Sequence, residues 1–370
     1  MAQMNDPMNE KMSDKTSETA PNETPLIEEH RTAGARMGEW QGCLLPDEFS
    51  GFEQEYRAAK ESVALFDTNW HAVFTLTGRD RVKYLHNISS NDIKSLPEGR
   101  GMLALLLTPQ GRILAELEVY ALAEQLFVLT HRFAREQTLA TLRKYVIGSQ
   151  VKIDDLSDSL GTIAIEGPDA DAIVNEVAGL ALGVLDQLAI AETNVEGVPC
   201  YALRRSHFGA AGVEFLAPSA ALSIVWERLL AAVQNAGGAA VGMKALNALR
   251  MEAALPWFPT DFNDGMIPHE AAVETTHISF TKGCYTGQEI VERVRSRGHV
   301  NRKRVALKFS TQTPPAPGAK LSVKGAEVGF VTSAAFSPAA AAAIGMGYVR
   351  REQFTSGSVV EFEGGTAEVL

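Results

Sequence analysis

Lys282-Gly283-Cys284-Tyr285-Thr286-Gly287-Gln288-Glu289 sets a lone thiol between two glycines, two residues after a lysine. The glycines permit backbone conformations closed to other residues, and the polar run ending in Gln288 and Glu289 resists burial as a simple apolar strand. Cys284 is therefore expected to be presented to solvent rather than packed as a small hydrophobe. A neighbouring ammonium, and a helix N-terminus if residues 286–292 are helical, would both favour thiolate over thiol and make the sulfur nucleophilic.

Upstream, two stretches share one pattern. The alternating strand Ala72-Val73-Phe74-Thr75-Leu76-Thr77 leads through Gly78 and Asp80 into a helix containing Leu85 and Ile88. Thr162-Ile163-Ala164-Ile165-Glu166 leads through Gly167, Pro168 and Asp169 into a helix containing Ile173 and Val177. Matching glycines and acids predict two related halves, with each acid capping the first turn of its helix. Between them, Pro109-Gln110-Gly111 separates the runs 102–108 and 112–122, which reads as an antiparallel hairpin. A strand at 126–130 and helices at 56–60, 132–146, 219–234 and 242–255 complete the reading. In the 132–146 helix, Leu139, Leu142 and Val146 are spaced to face a sheet. After Asn301, short strands punctuated by Pro314, Pro315, Pro317, Gly318, Gly325, Gly329, Gly345 and Gly347 predict a small barrel or sandwich, ending in a strand pair near 359–370. The alanine run 339–343 reads as a loop or a single turn.

The chain has 370 residues, 45% of them hydrophobic, enough for two or three packed units. Its net charge is -11, and residues 1–30 carry -5 of that. Acidic and poor in large apolar residues, residues 1–35 are expected to be a disordered tail and a poor transit peptide. Cys43, Cys200 and Cys284 form no CxxC pair, and the eight histidines show no metal-ligand spacing. Neither a disulfide framework nor a protein-held metal site is expected, and a reducing, cytoplasmic setting fits. No apolar run approaches the ~20 residues that span a bilayer, so no membrane association is expected. Arg293, Arg295 and Arg297 alternate with Glu292, Val294 and Ser296, so that a strand would gather three arginines on one side, with Arg302, Lys303 and Arg304 beyond. That patch would suit an acidic tail or partner, or else be a solvated face. No aromatic platform accompanies it, and direct nucleic-acid binding is not expected.

The octapeptide, with Leu249-Arg250-Met251-Glu252-Ala253-Ala254-Leu255-Pro256 and Ile267-Pro268-His269-Glu270 before it, resembles the YgfZ family of folate-binding proteins linked to iron–sulfur cluster maintenance, kin of the glycine-cleavage T-protein. The likeness runs from about residue 48 to 370, and Gly329-Phe330-Val331-Thr332-Ser333 looks like the family's barrel strand. It implies an α+β fold of three domains: two related α+β units around a folate pocket, residues 36–298, then a small β-barrel, 299–370. It further implies tetrahydrofolate as cofactor, and iron–sulfur client enzymes, radical tRNA-modifying enzymes among them, as partners of a monomer. Cys284 and Lys282 would do the chemistry, while Arg250, Glu270, Asp92, Tyr285 and Gln288 would hold the folate. Arg250 otherwise pairs with Glu252, Glu270 is otherwise an exposed loop acid, and Asp92 otherwise caps a turn. Trp257 and Phe258 would pack beneath the pocket.

The enzymes of this kinship need placed carboxylates. Their Asp-Asp pair aligns with Ala115-Glu116, and their Gly-Tyr-Thr-Gly-Glu segment aligns with His207-Phe208-Gly209-Ala210-Ala211. The first carboxylate is thus lost or displaced to Glu116 and the second is absent, and alanine in those slots predicts a pocket without the transferase reaction. Three functions follow in order: a folate-dependent accessory factor acting through Cys284, a true aminomethyltransferase or demethylase, and a folate-free interaction scaffold.

Overall fold

A computed structural model describes residues 20–370. Two sheets form the body. The first has five antiparallel strands in the spatial order Gly101–Leu107, Ile113–Ala121, Gln125–His131, His71–Thr77 and Lys152–Asp155. The second runs Ile190–Val195, Val198–Leu203, Gly212–Pro218, Leu160–Glu166, Ala64–Asp67 and Ala239–Ala240, antiparallel except for the last pair. Each sheet follows the same path: strand, helix (Arg81–Ile88 or Ala170–Ala178), three strands, then a longer helix (Arg135–Lys144 or Leu222–Asn235). The halves expected from Gly78-Asp80 and Gly167-Asp169 are thus real structural copies.

Each copy gives away a strand. Ala64–Asp67, which precedes the first copy, pairs with Leu160–Glu166 of the second, and Lys152–Asp155, which precedes the second, pairs with His71–Thr77 of the first. The repeated glycine and acid lie where this exchange is clamped. Gly78 (φ 97°) and Gly167 (φ 146°) adopt backbone that L side chains avoid, and a Cβ on either would meet a carbonyl oxygen, of Gln150 at 2.3 Å or of Ser62 at 2.5 Å. The Asp80 carboxylate accepts from Gln150 N at 2.8 Å, and Asp169 N donates to Ser62 O at 3.1 Å. Neither acid's side chain caps its own helix, contrary to the sequence expectation, because Asp80 is engaged by the incoming strand instead.

Alternation along the strands sorts the core. Ala72, Phe74 and Leu76 with Ala115, Leu117 and Val119 face the helices, while Val73, Tyr120, Phe127 and Leu129 face Ile190, Leu203 and Leu216 of the other sheet. Leu142 is buried beneath its sheet with Leu139 and Val146 packed around it, as the spacing predicts. A six-stranded barrel, Arg302 to Val369, closes the chain. It seats Ala335, Ile344 and Met346 on Ala248 and Met251 of the helix Met243–Glu252.

Three expectations change. Residues 1–19 of the expected tail lie outside the described residues, but 20–35 are ordered: Asn22–Glu23 pairs with Cys43–Glu48, and the helix Ile27–Thr32 buries Leu26 and His30, whose Nε2 lies 2.8 Å from Asp67. Composition hid these anchors because they are few and their partner is distant. The arginine stretch is a helix, Gln288–Arg297, not a strand, so alternation in sequence no longer gathers its arginines on one face. Arg293 and Arg295 pair instead with Glu289 and Glu292. The alanine run ends inside a strand, Ala342–Arg350.

Candidate functional site

Strands that meet between the two sheets change character within two residues of one another. Tyr120 gives way to Glu118 and Glu116, Val73 to His71, Leu129 to His131, Leu203 to Arg205 and Leu216 to Glu214, each pair pointing the same way. The apolar layer therefore opens into a cleft lined by His71, Glu116, Glu118, His131 and Arg205, with His207 beside them. Three of the chain's four tryptophans, Trp40, Trp70 and Trp257, supply its aromatic walls.

Its ionic groups are tied together. Glu118 accepts from Arg205 Nη1 at 2.8 Å and Tyr120 Oη at 3.1 Å. Glu214, fully buried, meets His71 Nδ1 at 2.8 Å and His207 Nε2 at 3.1 Å. Glu116 meets His277 Nε2 at 2.7 Å. Burial disfavours the Glu214 and Glu116 anions, but the histidines outweigh it and both carboxyls sit below their ordinary values. Burial likewise opposes the His71 cation, yet Glu214 and Glu118 raise its pKa. His131, half-buried, is pushed down to about 3 by desolvation and by the charges of His71 and Arg132, and stays neutral. Arg205 Nε is buried without a partner. Carboxylates that accept and flat indole faces suit a planar ring rich in N–H groups, and the guanidinium N–H suits an acceptor on the same ring. Among the described residues no group of three or more His, Cys, Asp or Glu side chains is placed to hold a metal ion.

Of the two outcomes the sequence left open at 115–116, the structure shows displacement, and the cleft keeps its acids despite the alanines at 115 and 211. Ala115 faces the helices, so the alternate position, Glu116, faces the cleft. The loop 206–210 is gathered by Glu166, which accepts from the backbone N–H groups of His207, Phe208 and Ala210 and from Ser206 Oγ at 2.6–3.0 Å, and Glu214 supplies the carboxylate behind it. Glu118, Glu166, Glu214, His71 and His277 went unread. Two acids alternating with Ala115, Leu117 and Val119 in an otherwise apolar strand were the available signal.

The residues expected from the sequence lie elsewhere. Cys284 is exposed, Cys43 and Cys200 are buried, and the thiol is not among the side chains lining the cleft. Lys282 is buried, its ammonium donating to the carbonyls of His86, Ser89 and Asn91, with burial lowering its pKa to about 8. That ammonium ties its own loop to the C-terminal end of the helix Arg81–Ile88 and the residues after it, and is not a free partner for the thiol. Tyr285 lies buried beneath it, Nζ 5.0 Å from the ring centroid, and Gln288 opens the following helix. Asp92 sits 3.1 Å from His86, and Glu270 pairs with Arg302 at 3.2 Å. Arg250 is fully buried and bound to Asp261 at 2.6 Å rather than to Glu252, and its guanidinium backs the Trp257 ring at 4.4 Å. Trp257 and Phe258, expected beneath the pocket, line the cleft itself.

Residues 26–282 match the GCVT N-terminal domain, and 302–369 match the glycine cleavage T-protein C-terminal barrel domain. An aminomethyltransferase of Rubrobacter xylanophilus is 29% identical over 89% of this chain and 87% of its own. One of Symbiobacterium thermophilum is 29% identical over 91% and 92%. The crystal structure of glycine cleavage system aminomethyltransferase T from Bartonella henselae superposes with a TM-score of 0.86 at 25% identity, covering 94% of this chain and 96% of that one. With the body and the barrel both matched, this chain belongs to the glycine cleavage T-protein family.

Proposed function

We propose that this chain binds tetrahydrofolate in the inter-sheet cleft and, as an accessory factor of the YgfZ type, supports the iron–sulfur clusters of client enzymes through Cys284. The observation that carries the ligand is the combination of Glu116 and Glu118 with three tryptophans in one cleft. Carboxylates accept the N–H groups of a pterin, and indole faces stack on its ring. Family membership and relatives that carry the name aminomethyltransferase support the same ligand class. The thiol half of the reading is supported by the KGCYTGQE string and by the exposure of Cys284 beside two buried cysteines. Clients would include radical enzymes that modify tRNA, met in the cytoplasm by a monomer.

Two measurements test it. Calorimetric titration with tetrahydrofolate should give saturable heat, and its absence would leave a folate-free scaffold as the better description. In a strain lacking the protein, wild type should restore iron–sulfur enzyme activity and folded Cys284→Ala should not. Full rescue by that variant would end the thiol's role. Aminomethyl transfer is a second reading, favoured by the cleft-facing Glu116. It gains if the purified protein moves a one-carbon unit onto tetrahydrofolate and Glu116→Gln stops it.

A further inference from the structure

Glu116 reaches the cleft from the middle of the strand Ile113–Ala121, and the side chain that holds it arrives from 161 residues downstream. His277 ends the short helix Glu274–His277, in the segment leading to the octapeptide. Its Nε2 lies 2.7 Å from Glu116 Oε1, and its Nδ1 has Thr276 Oγ1 at 2.7 Å and the Val273 carbonyl at 3.1 Å. Ser90 Oγ donates to the His277 carbonyl at 2.6 Å, and Phe262 meets the ring edge-on. Partners on both nitrogens, a pinned carbonyl and an aromatic neighbour leave the imidazole one orientation. Glu116 Oε1 is thereby occupied, and Oε2 is the oxygen left for a ligand.

Building on the tetrahydrofolate reading, we propose that His277 is a positioning residue that holds Glu116 ionised and aimed, so that its carboxylate accepts an N–H from the bound ring. Burial alone would push the Glu116 carboxyl up. The hydrogen bond and charge of His277 outweigh that, Arg205 and His71 add to it, and the carboxyl ends below its ordinary value. The other titratable groups lining the cleft work differently: Glu118 is bound to Arg205, His207 is bound to Glu214, and His131 is neutral. Ligand binding through an ionised acceptor is kept above the pKa of Glu116 and lost as pH falls through it. Without His277 that pKa rises, and the acid limb of the affinity profile moves to higher pH.

The full chain is titrated with tetrahydrofolate under reducing conditions across a pH series, and quenching of the cleft tryptophans is followed. His277→Gln keeps an N–H donor at the same reach and removes the imidazole. Its affinity should match wild type within about threefold near neutrality, and its acid limb should lie about one pH unit or more higher. A profile that superimposes on wild type, or one lowered equally at every pH, assigns His277 to structure alone and overturns the proposal. Should His277→Gln fail to fold, the wild-type His277 ring protons, followed by NMR, give the second reading. Tetrahydrofolate must move their chemical shifts, and unchanged resonances at saturating ligand refute the idea. Wild type that binds no tetrahydrofolate sinks the cleft assignment itself, an outcome separate from a bound ligand with an unmoved limb.

Discussion

Asp261 joins the barrel to the cleft wall, and its replacement is the sharpest test of how the domains cohere. Its Oδ2 accepts from Arg250 Nη1 at 2.6 Å and from the Trp257 backbone N–H at 2.9 Å, and its Oδ1 accepts from Thr332 Oγ1 at 2.8 Å and from Ser333 Oγ. Both partners of the ion pair are fully buried. Asp261→Asn leaves the shape but removes the counter-charge of Arg250, whose acceptors are then all neutral, Asn247 Oδ1 and the Leu255 carbonyl among them. Breaking a buried pair from one side costs about 3–5 kcal/mol. Arg250→Met together with Asp261→Asn removes both charges and should recover most of that loss, although it also removes the cation behind Trp257. Urea unfolding, read in parallel by circular dichroism and tryptophan emission, gives the double-mutant cycle where the two transitions coincide. Arg250 holds the Asp261 carboxyl below its ordinary value against the opposing effect of burial. Its stabilisation is therefore complete above the unfolded-state value, about 3.9, and disappears as pH falls through the lower folded one. Wild type and Asp261→Asn should converge in strong acid. Additive single losses, within about 0.5 kcal/mol, would refute the claim that these two side chains act as one unit.

Two shorter tests address the fold and the thiol. Gly167→Ala puts a Cβ 2.5 Å from Ser62 O and 2.8 Å from Val63 Cα at a φ of 146°, and should cost more than about 2 kcal/mol by thermal melting; a neutral result would deny the clamp. Native protein should release one equivalent of thiolate with an aromatic disulfide reagent, from Cys284, because burial raises the Cys43 and Cys200 thiols to about 12 and about 11. Three equivalents without denaturant would contradict that burial.

The architecture was legible where information is local. Alternation marked the strands, the Pro109-Gln110-Gly111 turn marked its hairpin, and the paired glycines marked the internal duplication. Long-range pairing was not legible. Asp80 looks like a helix cap until Gln150 is brought beside it, and Arg250 has a nearer apparent partner in Glu252 than the Asp261 it binds. The site failed for the same reason: Ala115 and Ala211 are neighbours in sequence of the residues that matter, and strand parity, which decides whether 115 or 116 faces the cleft, needs both sheets in place. Lys282 shows the converse, since a lysine two residues from a thiol can spend its charge on carbonyls almost 200 positions away.

The strand exchange bears on how the chain is made. Ala64–Asp67 cannot find its neighbour until residues near 163 exist, because Ile163 pairs with Asp67. An emerging first half holds one strand with no sheet to join, and its own sheet lacks Lys152–Asp155 until that segment follows. A cut between the copies would leave each fragment with an open, sticky margin rather than a finished domain. The two halves are therefore complete only together, and the cleft between them takes further walls, Trp257 and Phe258, from chain that follows both.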